Sequence, residues 1–154
     1  MISTDKLPPI GDCTCLAVRQ AARHVTQFYD RRLAASGLRT TQFSILAKLR
    51  QQGPMTINTL ADEMVMDRTT LGRNILPLQR EGLLSVTPGR KDRRSKELRL
   101  TEAGIERLRE AREGWREAQA QFAAAFGEER AAGLRAFLRE VSATDLPAKS
   151  STTG

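Results

Sequence analysis

Between Arg90 and Thr101 the chain reads R-K-D-R-R-S-K-E-L-R-L-T, six cationic side chains against two acids. Ammonium and guanidinium groups at that density attract a polyanion, and contacts of this kind to nucleic-acid phosphates give an affinity that falls with salt. Upstream, Arg68, Thr69, Thr70, Arg73 and Asn74 fall within one short segment. Arginine pairs bidentately with guanine and asparagine with adenine in the major groove, so these residue types on one helix face suit base reading. Catalytic chemistry has much less to work with. The chain holds one histidine, His24, no metal-spaced cluster and no Gly-rich phosphate loop. Cys15 with His24 is the only nucleophile and base worth pairing, and nine helical residues put them about 13 Å apart along the axis, too far to share a proton. We therefore expect no enzyme activity, no metal and no cofactor.

The frame that positions these groups is small. Its 154 residues fit one domain with an appended helical element, and 40% hydrophobic content can build a core. Aromatic residues make up only 5%, so aliphatic side chains must do most of the packing. Net charge is +7, and its distribution is uneven: residues 67–101 carry nine Lys or Arg against four acids, whereas residues 102–140 carry seven against eight. A local basic excess implies a polyanion-facing surface. The start, M-I-S-T-D-K-L-P-P-I, has no apolar targeting core, and no stretch approaches the roughly 18 apolar residues of a membrane span. Cys13 and Cys15, with one residue between them, would form a strained disulfide, so a reducing compartment, the cytoplasm, is expected.

Apolar residues at three- and four-residue intervals from Leu16 to Leu33 predict an amphipathic helix from about Asp12 to Ala35, closed by Ser36-Gly37. Thr40 or Thr41 can cap a second helix through about Arg50, with Phe43, Leu46 and Leu49 inward, before Gly53-Pro54 breaks the chain. Thr56 can cap a short third helix. Asp67 is placed to accept the free N–H groups of a fourth, with Leu71, Ile75 and Leu78 inward and Arg68, Thr69, Arg73 and Asn74 outward. Pro77 within it predicts a kink or an irregular last turn. Leu83–Val86 and Leu98–Leu100 have strand length, and Pro88-Gly89 with the charged run between them makes a hairpin. A short helix, a turn, a base-reading helix and a basic hairpin compose a winged helix-turn-helix.

Thr101-x-x-Gly104 opens a long charged helix with Ile105, Leu108, Ala111, Trp115, Ala118, Phe122 and Phe126 inward, and Gly127 ends it. A last helix follows, with Leu134, Phe137, Leu138 and Val141 on one side, and then a polar tail expected to be disordered. The winged helix satisfies its own core, so the stripes on the first and last two helices predict self-association. A twofold dimer would set two reading helices about one DNA turn apart, roughly 34–36 Å, matching a palindrome.

The order helix, helix, short helix, reading helix, wing and long helix, with Asp92-Arg93-Arg94 followed by Leu98-Arg99-Leu100-Thr101-x-x-Gly104, resembles the MarR family of bacterial transcriptional regulators from about Cys13 to Ser142. The resemblance implies a homodimer that binds double-stranded DNA, usually a repressor relieved by a small molecule or an oxidant. It places Arg68, Thr69, Thr70, Arg73 and Asn74 in the major groove and Arg90, Lys91, Arg93 and Arg94 on the wing, with Asp92 gripping the Arg94 guanidinium to hold the hairpin. It implies an effector pocket lined from the first, second and fifth helices, with Arg19, His24, Phe28 and Tyr29 as candidates for a small aromatic or phenolic ligand. It also implies a second reading, in which Cys15 is a redox-sensing thiol at a helix start, hydrogen-bonded by Tyr29.

The expected architecture is mainly α with a small β-hairpin wing. Residues 1–11 form an arm, 12–36 and 102–142 a helical dimerisation region, 37–101 the winged helix-turn-helix, and 143–154 a tail. A regulator released by an effector, a thiol-based regulator, and an architectural DNA binder indifferent to sequence remain the alternatives, separated by whether base identity changes affinity.

Overall fold

The structure, a computed structural model, describes Leu7 and residues 9–147. A single 3-10 turn, Ile10–Asp12, leads into α1 (Thr14–Leu33), and another, Ala34–Ser36, leads to α2 (Thr40–Gln52). Then come β1 (Met55–Thr56), α3 (Ile57–Met64), α4 (Arg68–Arg80), β2 (Leu84–Pro88), β3 (Lys96–Leu100), α5 (Glu102–Phe126) and α6 (Glu128–Ala143). The chain divides after Ala118 into two compact units. The fold is mostly helical with a small antiparallel wing, as expected. The tail read as disordered falls mainly outside the described residues.

Helix ends explain the element order of the first unit. The Thr59 N–H donates to Thr56 Oγ1 at 3.1 Å, and the Thr70 N–H to Asp67 Oδ1 at 2.8 Å, so the expected caps open α3 and α4. At α2 the cap comes from elsewhere. The backbone N–H and the hydroxyl of Thr40 both donate to Asp30 Oδ1, each at 2.7 Å, while Gln42 Oε1 accepts the Arg39 N–H at 3.0 Å. A carboxylate ten residues upstream thus satisfies the helix start and ties α1 to α2, because it is a stronger acceptor for those N–H groups than a threonine hydroxyl. Pro77 does not stop α4, which continues to Arg80. Both Pro77 and Arg73, whose carbonyl loses its intrahelical donor, are exposed, so water can take that bond.

Strand order is β1-β3-β2, all antiparallel. The two-residue strand β1 was not expected. Its Met55 pairs with Leu98, which also faces Val86 of β2, so β3 is the central strand and Leu98 is wholly buried. Around it pack Leu46 and Ile45 of α2, Leu60 of α3, and Leu71 and Leu78 of α4, each no more than 1% exposed. No polar or charged side chain is buried among the described residues.

Thr101 and Gly104 account for the motif at the start of α5. The Thr101 hydroxyl donates to the Gly82 carbonyl at 2.6 Å and accepts the Gly104 N–H at 3.1 Å. A Cβ at Gly104 would collide with the Leu83 carbonyl, so only glycine lets α5 approach the end of α4 this closely.

In the second unit, Phe122 and Phe126 stack with centroids 5.4 Å apart, and the Arg130 guanidinium lies 4.2 Å from the Phe126 ring centre. Ala131 is the buried residue of α6, while Phe137, Leu138 and Val141 are exposed.

Candidate nucleic-acid interface

α4 carries the residues chosen for base reading. Leu71, Ile75 and Leu78 turn its apolar face into the core, which leaves Arg68, Thr69, Thr70 and Arg73 exposed and Asn74 half-exposed on the other side. Two of these side chains already have local bonds. The Thr70 hydroxyl donates to Asp67 Oδ2 at 2.7 Å, and Asn74 Nδ2 donates to the Thr70 carbonyl at 2.9 Å. The Asn74 carbonyl oxygen remains free to accept. The bonds from Thr70, its backbone N–H first, hold the Asp67 carboxyl below the usual carboxylate range.

The turn into α4 is tight. Val65 sits in the left-handed region at φ 52°, where the Met66 N–H reaches back to the Ala61 carbonyl at 2.9 Å and ends α3.

The wing folds around Asp92, though not as the resemblance implied. Asp92 Oδ1 accepts the backbone N–H of Arg94 at 2.9 Å, the Asp92 carbonyl accepts the Ser95 hydroxyl at 2.7 Å, and the Gly89 N–H closes the hairpin on the Ser95 carbonyl at 2.8 Å. Asp92 thus shapes the hairpin through backbone, and no ion pair with Arg94 is present. The reason is local: a carboxylate reaches the N–H two residues on without ordering a long side chain. Consequently the Arg94 guanidinium is released to the surface with Arg90, Lys91 and Arg93, all exposed.

Folding brings α4 and the wing together across a crevice of about 320 Å³, where Arg68 and Thr69 meet Arg94 and Lys96 beside Asn58 at the start of α3. Lys96 and Asn58 were not singled out in the sequence. A signal for Lys96 existed, since it belongs to the same cationic run, whereas Asn58 becomes visible only once α3 is placed. Within this surface Arg68, Arg73, Arg90, Lys91, Arg93, Arg94 and Lys96 have no carboxylate partner, while the nearby Arg99 and Arg107 are held by Glu97 at 2.7 Å and Glu81 at 3.2 Å.

The remaining candidates stand apart from this face. On α1, Arg19 and His24 are exposed, Phe28 is half-buried and Tyr29 is buried. Cys13 caps α1, its Sγ accepting the Leu16 N–H at 3.4 Å, and Cys15 is exposed in the first turn. Fourteen helical residues, about 21 Å of rise, separate Cys15 from Tyr29, so no contact forms between them within one chain. A groove between α2 and α5, about 460 Å³ and lined by Phe43, Arg50, Leu108, Arg109, Arg112 and Trp115 among others, contains none of the α1 candidates. Among the described residues no cluster could hold a metal ion, and no helix is long and apolar enough to cross a membrane.

These features agree with known proteins. The MarR family model matches residues 38–96. The transcriptional regulator MosR of M. tuberculosis, solved in complex with DNA, is 36% identical, covers 88% of this chain and 100% of its own, and superposes with a TM-score of 0.75. BpsR of Bordetella bronchiseptica, whose DNA binding is regulated by 6-hydroxynicotinic acid, shares the fold at 21% identity and TM-score 0.79, over 91% of this chain and 100% of that one. A mutant MarR of E. coli complexed with operator DNA does so at 17% identity and TM-score 0.77, over 88% and 99%. A comparison with curated proteins gives no match. A winged helix-turn-helix with a cationic face, matched along the full length of a DNA-bound relative, makes this chain a transcriptional regulator of the MarR family.

Proposed function

We propose that the protein is a homodimeric, sequence-specific repressor that occupies a palindromic promoter site and releases it when a small aromatic or phenolic effector binds. The observation that carries the DNA half is the set of cations on α4 and the wing left without carboxylate partners, in a protein that pairs Arg99 and Arg107 a few residues away. Unpaired guanidiniums around a crevice are what a phosphate backbone neutralises, and the loss of bound counterions on both sides drives association. In this reading Arg68, Arg73 and Asn74 contact base edges, with Thr69 and Thr70 beside them at the helix start. Arg90, Lys91, Arg93 and Arg94 hold phosphates or the minor groove, on a hairpin shaped by Asp92.

Residues 37–101 would then be the DNA-binding lobe, and 12–36 with 102–142 the dimerisation region. Exposed Val18 on α1 and exposed Phe137, Leu138 and Val141 on α6 support that division, since apolar side chains at helical spacing gain by burial against a second copy. The effector acts by unequal affinity for DNA-competent and splayed dimers, and a coupling of about 1–3 kcal/mol lowers DNA affinity roughly 5- to 150-fold. Arg19, His24, Phe28 and Tyr29 remain the α1 candidates for its site. The regulation of BpsR by an aromatic acid supports an effector of that class.

Fluorescence anisotropy at about 0.15 M salt tests the reading, with DNA from upstream of the protein's own gene and a shuffled control. Native DNA bound tighter by about 10³-fold or more is the expected result. Equal, weak and salt-sensitive binding to every promoter fragment tried would instead make it an architectural DNA binder. The exposed Cys15, two residues from the thiol that caps α1, favours a second reading, oxidant control. Hydroperoxide would then release DNA from the native protein and fail to do so from Cys15→Ser.

A further inference from the structure

A glycine inside a helix costs stability, since only proline is a poorer helix former, and it usually answers a packing or functional need. α5 carries two, and both needs are internal: a Cβ at Gly104 would collide with the Leu83 carbonyl, and one at Gly114 with the Arg32 carbonyl of α1. Gly72, the fifth residue of α4, has no such need. A Cβ built there meets nothing within 4 Å, and its φ lies outside the left-handed region that favours glycine. The helix proposed to read DNA thus carries a helix-weakening residue that nothing inside the protein requires. Gly133 of α6 is the other such helical glycine among the described residues, and it lies on the helix proposed to meet a second copy.

The surroundings of Gly72 say which need it answers. It is exposed, and it lines the crevice of about 320 Å³ between α4 and the wing with Arg68, Thr69, Asn58, Arg94 and Lys96, while no acidic side chain shares that lining. Residues three and four apart on a helix are neighbours, so a side chain at position 72 would stand beside Thr69 and Arg68 and fill part of the crevice. Arg94 and Lys96 approach from the hairpin, and neither has a carboxylate partner among the described residues. Cations on one wall and bare helix backbone on the other suit a strand of regularly spaced negative charges. A base edge is uncharged and is read by donors and acceptors, which Arg73 and Asn74 supply one residue and two residues further on.

We infer that one sugar–phosphate strand of the bound DNA runs through this crevice, its phosphates on Arg94 and Lys96, and that Gly72 sets how closely α4 approaches it. A methyl group at position 72 takes up space that the strand enters and holds the phosphate oxygens away from Asn58 and Lys96, beyond good hydrogen-bonding distance. The stability forgone in the free protein is recovered as contact in the complex. This inference rests on the proposed DNA-binding face, and it adds to that face a contact that carries no sequence information.

Gly72→Ala separates this role from a structural one, because its two effects have opposite signs. Alanine is the better helix former at an exposed, unstrained position, so Tm should rise by about 2–4 °C. Affinity should nevertheless fall by about tenfold, equally on DNA from upstream of the protein's own gene and on a shuffled control, as expected for the loss of a hydrogen bond to a charged group. Gly72→Leu, with a larger side chain that also favours helix, should bind both DNAs more weakly still. Unchanged or tighter binding by Gly72→Ala would overturn the inference. So would a loss confined to the upstream DNA, which would put a base edge at Gly72, or a fall in Tm, which would give the glycine a structural role. Failure of the underlying reading has a different signature: the native chain itself would bind neither DNA, and the inference would fall with it.

Discussion

Seven of the eight largest fully buried side chains lie between Ile45 and Leu98, while residues 119–147 bury only Ala131 and leave Phe137 64% exposed. The winged lobe closes a core within one chain, with β3 at its centre and helices α2, α3 and α4 packed around it. The C-terminal unit has amphipathic helices and no such closure. Its apolar stripe is as regular as those of the lobe, so the difference does not come from patterning. It comes from the number of faces available: three helices and a sheet can enclose a volume, whereas the end of one helix and the whole of the next cannot.

The largest expected effect breaks the closed region. Leu98→Ala removes a wholly buried side chain that faces Met55 on one neighbour and Val86 on the other, and should destabilise by about 2–5 kcal/mol, read as a Tm drop that does not depend on protein concentration. Phe137→Glu probes the open region. It should cost little within one chain and weaken self-association by about 2 kcal/mol or more, so that sedimentation finds monomers at micromolar concentration where the native chain is paired. An unchanged mass for Phe137→Glu would remove the α6 stripe from the proposed interface.

A finer contrast lies inside the lobe, between α4, proposed to read bases, and the wing, proposed to hold the backbone. Arg73→Ala should cost about 1–3 kcal/mol on the native operator and relax preference at one position per half-site, with little loss on shuffled DNA. Lys91→Ala should weaken all sequences alike and reduce the salt slope by about one unit. Exchanged outcomes would mean that the wing reads sequence and α4 only clamps the backbone.

Much of the lobe was legible because its signals are local. Asp67 and Thr56 act on N–H groups three residues away, Leu71, Ile75 and Leu78 repeat at helical spacing, and Gly104 belongs to a motif with one stereochemical reason. What escaped was long-range. Asp30 caps α2 from α1, and β1 is two residues that count as a strand only because Met55 meets Leu98. The cations of α4 and the wing could be named from sequence, but the absence of partners beside the paired Arg99 and Arg107 could not. The α2–α5 groove escaped entirely, since Arg50 and Arg112 are 62 positions apart and read as ordinary surface charges.

A smaller effect concerns the turn before α4. Val65 is a β-branched residue at φ 52°, 75% exposed, in a conformation that costs an L-residue about 1–2 kcal/mol. Val65→Gly relieves that strain but loosens the unfolded chain, so a net gain of up to about 1 kcal/mol is expected in urea unfolding. A loss of stability would show that the exposed side chain makes contacts worth more than the strain.

Asp67 gives the subtlest test, because it joins the stability of the lobe to its binding face. Its carboxylate accepts the Thr70 N–H and hydroxyl, which hold its pKa below the ordinary value of about 3.9. A depressed folded-state pKa contributes stability that is complete above the unfolded value and is lost as pH falls through the folded one. Asp67→Asn keeps an oxygen to cap α4 but has no charge for the helix start to stabilise. The native chain should therefore have the higher Tm at pH 6, and the two should converge as pH drops below about 4. On DNA the sign reverses, since the same carboxylate lies beside Arg68 at the face proposed to meet phosphates. Asp67→Asn should bind native and shuffled DNA slightly and equally more tightly at neutral pH. A Tm difference that persists once the folded-state carboxyl of Asp67 is protonated would assign the cap's contribution to geometry and not to charge, and unchanged DNA affinity would place Asp67 outside the proposed phosphate-binding face.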